Sequence, residues 1–191
     1  MTPSGRVMTA CASLFLLPAC ANHKQATVFD DPSAIVVLSP TQNSSVRGVA
    51  TFIRSGNVAR VNLNMAGFKP NSTHGVHIHE SGDCSARDAS SAGGHFNPTA
   101  SEHGAPNGRP HHSGDLGNIT ADAKGQVYVL FDVSDIAFGS GQDSIIGRGL
   151  IVHADSDDLT SQPAGNSGPR AACGLVTRNA DKMTYAKSGT P

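Results

Sequence analysis

The stretch from His77 to Asp115 limits what this chain can become. It reads His77-Ile78-His79, then Gly93-Gly94-His95-Phe96-Asn97-Pro98, then His103, then His112-Ser113-Gly114-Asp115. These side chains fall at wide, unequal spacings in a segment rich in Gly, Asn and Ser. From Glu80 to His112 there is almost no apolar periodicity, so a hydrophobic face does not order it. A loop of that length inside a compact domain needs another source of order, and metal ligation supplies one. Neutral imidazole suits zinc and copper, and a carboxylate among imidazoles suits zinc. A solvated histidine-rich loop is the competing reading. It is weakened because His77 and His79 sit on a strand pattern rather than in a tract.

The rest of the chain frames that segment as part of an all-β domain. The 191 residues fit one domain with short extensions. Lys and Arg number 14 against 15 Asp and Glu, which leaves no basic footprint for nucleic acid. Glycine is abundant (21 residues), tryptophan is absent and apolar runs are short, as in a sheet protein with many tight turns. Strands are expected at Ala34–Leu38, Val46–Arg54, Val58–Met65, His74–His79, Asp115–Thr120, Gln126–Val133, Gly147–His153 and Ala171–Thr177. Val61, Leu63 and Met65 alternate with Arg60, Asn62 and Asn64, the pattern of a half-buried antiparallel strand. Asp155 to Arg170 is a second irregular loop.

The N-terminus reads as an export signal over residues 1–20. Arg6 precedes an apolar run, Val7 to Leu17, that is too short to span a bilayer. Leu17-Pro18-Ala19-Cys20 resembles a bacterial lipoprotein signal, with Cys20 lipidated as the mature N-terminus; Ala19-Cys20-Ala21 also fits ordinary cleavage. Residues 21–33 then form a tether, 34–178 the domain and 179–191 a loose tail. The expectation is an exported, periplasmic domain that meets a membrane only through lipid at Cys20. In such a compartment the remaining cysteines, Cys84 and Cys173, suggest a disulfide closing a long loop; two buried free thiols are the alternative.

The ligand types divide by chemistry. His77 and His79, two apart on a strand, point to one face and can hold one ion. His95, His103, His112 and Asp115 supply three nitrogens and a carboxylate, a closed tetrahedral set for zinc. His77, His79 and His153 form a three-nitrogen set able to hold copper if another imidazole is shared. Spacing alone does not identify the shared ring.

At these residues the chain resembles the copper/zinc superoxide dismutases, specifically an exported bacterial member. The matching text is Gly75-Val76-His77-Ile78-His79-Glu80, Gly93-Gly94-His95-Phe96-Asn97-Pro98, His112-Ser113-Gly114-Asp115-Leu116-Gly117-Asn118, Ile145 to His153, and Gly165 to Gly174. The resemblance runs from about Ile35 to Val176. It implies an eight-stranded antiparallel Greek-key barrel or sandwich with two long functional loops. It implies one copper on His77, His79, His95 and His153, one zinc on His95, His103, His112 and Asp115, and His95 as the bridge. His112, rather than His111, keeps the family's spacing to Asp115, and His74 and His23 match no ligand and are expected to be solvated. Cys84 and Cys173 correspond to the family disulfide, Asp157 to the carboxylate that orients His77 and His103, and Arg170 to the arginine that attracts the anion. Leu159 to Ala164 is short and carries no lysine or glutamate, which leaves Arg170 most of the steering. The implied reaction converts two superoxide anions and two protons into oxygen and hydrogen peroxide, in a monomer or homodimer. A non-catalytic copper-binding or chaperone-like module on the same fold is the alternative.

Overall fold

The computed structural model describes Met1 and residues 33–179. Nearly all of the expected signal, with Cys20, of the tether, with His23, and of the tail lies outside the described residues. Nine strands follow one another: β1 (Ala34–Pro40), β2 (Arg47–Ser55), β3 (Val58–Ala66), β4 (Thr73–His79), β5 (Asp115–Thr120), β6 (Gln126–Val133), β7 (Gly149–His153), β8 (Arg170–Leu175) and β9 (Thr177–Arg178). Between β1 and β9 the helical element is the short 3₁₀ turn Ser90–Ala92. The strands pair in the order β5-β4-β7-β8-β1-β2-β3-β6, an antiparallel path that curls into a nearly closed barrel.

The eight expected strands are present with most bounds shifted by a residue or two, and two of the differences have clear physical reasons. The expected strand Ala171–Thr177 divides at Val176. There the backbone exchanges hydrogen bonds with Gly147 and Arg148, and the chain leaves β8 to pair with β1 as β9. At the other end β1 continues through Pro40, with Ser39 and Pro40 opposite Cys173 and Ala172. The first strand therefore joins both halves of the barrel: its start pairs with β2 and its end with β8.

Alternation builds the core. On β3, Ala59, Val61, Leu63 and Met65 are buried while Arg60 and Asn64 are exposed. Together with Phe52, Val76, Ile78, Leu150 and Val152 they form one apolar cluster. Strands β4 and β7 depart from half-burial, since nearly every residue of both is buried. Their Val76, Ile78, Leu150 and Val152 face the core, and the intervening residues face outward. Those outward residues are covered by two loops, Glu80–Gly114 and Ala154–Pro169, rather than by water.

The first loop is laid back on the end of β4. The Ile78 amide donates to Gly114 O, the Phe96 amide donates to Ile78 O, and the Gly114 amide donates to Phe96 O. Near its start the loop is pinned to β8 by the Cys84–Cys173 disulfide, across 89 residues of sequence. Around the bridge Ala89, Ala92 and Ile151 make a small second apolar cluster on the outer side of the sheet. Replacing both cysteines by serine should lower the unfolding free energy of the metal-free protein by about 4–5 kcal/mol on a chain-entropy estimate. Denaturant titration measures this; an unchanged midpoint would mean that the bridge constrains nothing.

Candidate metal centre

Strand parity places His77 and His79 side by side under the loops, because each is one step from the inward Val76 and Ile78. His95 comes from the first loop, bridged to His79. His153 ends β7, the neighbour of β4. His103 and His112 lie further along the first loop, and Asp115 opens β5 beside β4. All of these residues are buried. They form two groups, His77, His79, His95 and His153 in one and His95, His103, His112 and Asp115 in the other; within each, the potential ligand atoms lie within 4.8 Å of one another. His95 is the residue common to both.

Each ring of the first group spends one nitrogen on the protein. His79 Nδ1 lies 2.9 Å from Gly93 O, and His153 Nδ1 lies 3.1 Å from Gly168 O. A carbonyl only accepts, so both nitrogens carry the hydrogen and both Nε2 atoms present lone pairs. His77 Nε2 donates to Asp157 Oδ2 at 2.8 Å, which leaves Nδ1 as its lone pair. His77 Nδ1, His79 Nε2, His95 Nε2 and His153 Nε2 are all buried with no hydrogen-bond partner. Several converging, unpartnered acceptors would be costly in a protein interior unless a cation satisfies them. A set of four imidazole nitrogens suits copper.

The second group comes close to the dimensions of a tetrahedral site, with the His95 and His103 separations from Asp115 falling slightly short of them. Asp115 Oδ1 lies 2.9 Å from His95 Nδ1, 3.0 Å from His103 Nδ1 and 3.3 Å from His112 Nδ1, and His112 Nδ1 lies 3.4 Å from His95 Nδ1. Zinc bonds of about 2.0–2.2 Å separate tetrahedral ligand atoms by roughly 3.3–3.6 Å. His103 Nε2 donates to Asp157 Oδ1 at 3.0 Å, so its Nδ1 presents a lone pair toward a carboxylate. That juxtaposition is repulsive until a cation stands between them. The other oxygen of Asp115 accepts the amides of Gly104 and His112 at 3.1 and 2.8 Å, which fixes the plane of the carboxylate.

Asp157 touches both groups, through His77 in one and His103 in the other. The Leu159 amide also donates to it, and the Asn118 carboxamide holds its backbone, accepting from its N–H and donating to its carbonyl at 2.8 Å each. Asn118 ends the His112-to-Asn118 motif, yet only the structure gives it this task. Gly165 is required here: it has φ +63°, and a Cβ would meet Asp157 Oδ1 and His103 Nε2. Arg170 is half-buried and donates to the carbonyls of Ala89 and Gly93. Gly93 O also accepts from His79, so one carbonyl sets the guanidinium beside the first group.

His74 corrects an expectation. It is buried, not solvated. Its position on β4 shares the parity of Val76 and Ile78, and its ring packs 4.7 Å from Phe68. Nδ1 donates to the His153 carbonyl at 2.9 Å and Nε2 lies 2.6 Å from Ser72 Oγ. The strand period carried that signal. His111 is also buried but belongs to neither group; its Nδ1 lies 2.8 Å from the His112 carbonyl.

Burial, with repulsion from neighbouring imidazoles, holds the rings neutral. His77 is pushed well below the ordinary histidine range, His79 down to about 2 and His153 down to about 4. Burial alone would raise the Asp115 carboxyl, but hydrogen bonds from His95 and the His112 and Gly104 amides hold it below the usual carboxylate range. Both effects favour the protonation states that ligate metal.

The family model for copper/zinc superoxide dismutase (SODC) matches residues 46–176. A "Superoxide dismutase [Cu-Zn]" of Paramecium bursaria Chlorella virus 1 is 36% identical over 183 residues, 92% of this chain and 95% of that protein. One of the same name from Humicola lutea is 41% identical over 143 residues, 70% of this chain and 92% of that protein. Among solved structures, a double mutant of a SOD-like protein from Bacillus subtilis superposes with a TM-score of 0.69 at 35% identity, covering 75% of this chain and 96% of that one.

The depressed histidines make acid sensitivity a test of the geometry. Above an ordinary pKa of 6.5 both folded and unfolded chains carry these rings neutral; below it the unfolded chain takes up protons that the folded one refuses. Stability of the metal-free protein should therefore fall as pH drops from 6.5 to about 4, through His153, and further toward 2 through His79. Thermal melts across that range check it. A melting temperature flat from pH 6.5 to 4 would contradict the burial of these rings.

Proposed function

The chain belongs to the copper/zinc superoxide dismutase family, and on that premise we propose that it dismutes superoxide to oxygen and hydrogen peroxide at the His77–His79–His95–His153 group. One observation carries this reading: His95 offers Nε2 to one ligand group and Nδ1 to the other, within a complete pair of sets. His77, His79, His95 and His153 would hold one copper, and His95, His103, His112 and Asp115 one zinc, in each chain. Bound copper would supply one-electron exchange with superoxide, while zinc adds positive charge without changing valence.

The protein's residues supply the rest. His95 Nδ1 is committed to the Asp115 side, so Nε2 is where the ring can take up a proton and pass it to a reduced oxygen species. Asp157 keeps His77 and His103 in the tautomers that leave each Nδ1 free. Arg170 presents a fixed guanidinium beside His79, suited to draw in and orient a small anion. Leu159 to Ala164 adds no cationic side chain, so Arg170 carries the attraction.

Export belongs to the same reading. Leu17-Pro18-Ala19-Cys20 supports lipidation at Cys20 and attachment to a membrane facing the periplasm, and the Cys84–Cys173 bridge accords with an oxidising compartment. Labelled palmitate should enter the parent protein and not the Cys20→Ala variant; equal labelling would sink the lipidation claim.

The direct test measures metal content and rate on one sample loaded with copper and zinc. The expected result is about one of each metal per chain, with a dismutation rate that disappears on copper removal. Arg170→Ser should retain both metals while the rate falls by about tenfold or more and loses much of its salt dependence. Full metal loading without dismutation would move the assignment to a copper-holding module.

A further inference from the structure

We propose that Gln162 is a positioning residue for zinc, acting through the backbone of His103. This rests on the reading above, in which His103 is a zinc ligand. His103 lies in a part of the first loop with no regular secondary structure, and it is buried. Its N–H and C=O therefore need partners other than a neighbouring strand. Both partners belong to one side chain: Gln162 Oε1 accepts the His103 N–H at 2.8 Å, and Gln162 Nε2 donates to the His103 carbonyl at 2.9 Å. Nε2 also lies 3.3 Å from Thr160 O. The orientation of the carboxamide follows from its partners, since the amide can only donate and the carbonyl only accept. The side-chain amide thus imitates one rung of an antiparallel ladder, at a place where the fold supplies no strand.

The consequence is geometric. Fixing the His103 peptide fixes the direction of its Cα–Cβ bond, and Asp157 then fixes the ring through Nε2. Gln162 and Asp157 come from the same loop, Ala154–Pro169, which follows His153. One loop thereby holds His103 at three points: N–H, C=O and Nε2. Without Gln162, Asp157 alone would retain the ring, and Nδ1 could swing away from Asp115. In Leu159 to Ala164, Gln162 is the only carboxamide, and no other side chain there can make this paired contact.

Gln162→Met keeps the bulk of the side chain and removes both hydrogen bonds; Thr160→Ala alters the same loop without touching His103. Zinc affinity is read on copper- and zinc-loaded full chain by competition with a chromophoric chelator. Affinity should fall by about 10–100-fold in Gln162→Met, the range typical of residues that orient a ligand, and stay at the parent value in Thr160→Ala. Amide hydrogen exchange on the metal-free protein supplies the second readout. The His103 amide should exchange faster in Gln162→Met, while the His112 amide, bonded to Asp115, should not change. Parent-like zinc affinity in Gln162→Met, or an equal loss in Thr160→Ala, would overturn the proposal, as would an unchanged His103 amide. A parent chain that takes up no zinc would overturn the proposed function and the zinc role of Gln162 with it.

Discussion

The carboxylate of Asp157 is the contact on which both ligand groups depend. Its two oxygens accept from His77 and His103, one ring of each group. Each acceptance fixes a tautomer, and each tautomer leaves an Nδ1 lone pair facing inward. A buried carboxylate is costly unless its acceptors are satisfied, and here two imidazole N–H groups and the Leu159 amide satisfy it. The Asn118 carboxamide locks the backbone of Asp157 in turn. The metal centre is thus ordered from a loop residue inward, with strand β5 supplying the clamp and β4 supplying His77.

The same logic explains why long irregular loops cover β4 and β7. An outward-facing apolar strand would have been packed by a helix or another sheet. These strands instead carry His77, His79 and His153 outward, and only polar, convergent chain can cover such a surface. The covering loops cannot be ordered by an apolar face, so they are ordered by the disulfide, by main-chain bonds to Ile78 and by the ligand groups. Lone pairs aimed at one another or at a carboxylate would oppose that order. A cation reverses the sign, so that metal uptake and loop order become one equilibrium.

Much of this was legible in the sequence, and the limits have physical causes. Alternation identified β3 and the outward pair His77 and His79, because one face of a strand meets one environment. Ligand types divided into copper-like and zinc-like sets by chemistry alone. That His95 is common to both sets came from the family resemblance and then from its position in the structure. No spacing rule could supply it, because His95 sits in an aperiodic loop. The lack of a ligand role suggests a solvated His74, yet its parity with Val76 and Ile78 on β4 places it inside. Nothing local in the sequence marks Asn118 or Gln162 for its task. Both act through a carboxamide on a distant backbone, at separations of 39 and 59 residues, which leave no local pattern.

The disulfide belongs to the chemistry as well as to the fold. Cys84 and Cys173 tie the first loop to β8 just upstream of Ala89 and Gly93, whose carbonyls hold the guanidinium of Arg170. Arg170 itself opens β8, three residues before Cys173. The bridge, the loop and the strand therefore close a small ring around the arginine. The carbonyl of Gly93 adds His79 to that ring. Burial opposes the charge on the half-buried guanidinium and the nearby Asp88 only partly offsets it, so hydrogen bonds to the carbonyls of Ala89 and Gly93 help hold it in place. A covalent pin beside that loop holds the acceptors still, so an anion arriving at the copper-type group would meet a charge whose direction is already set.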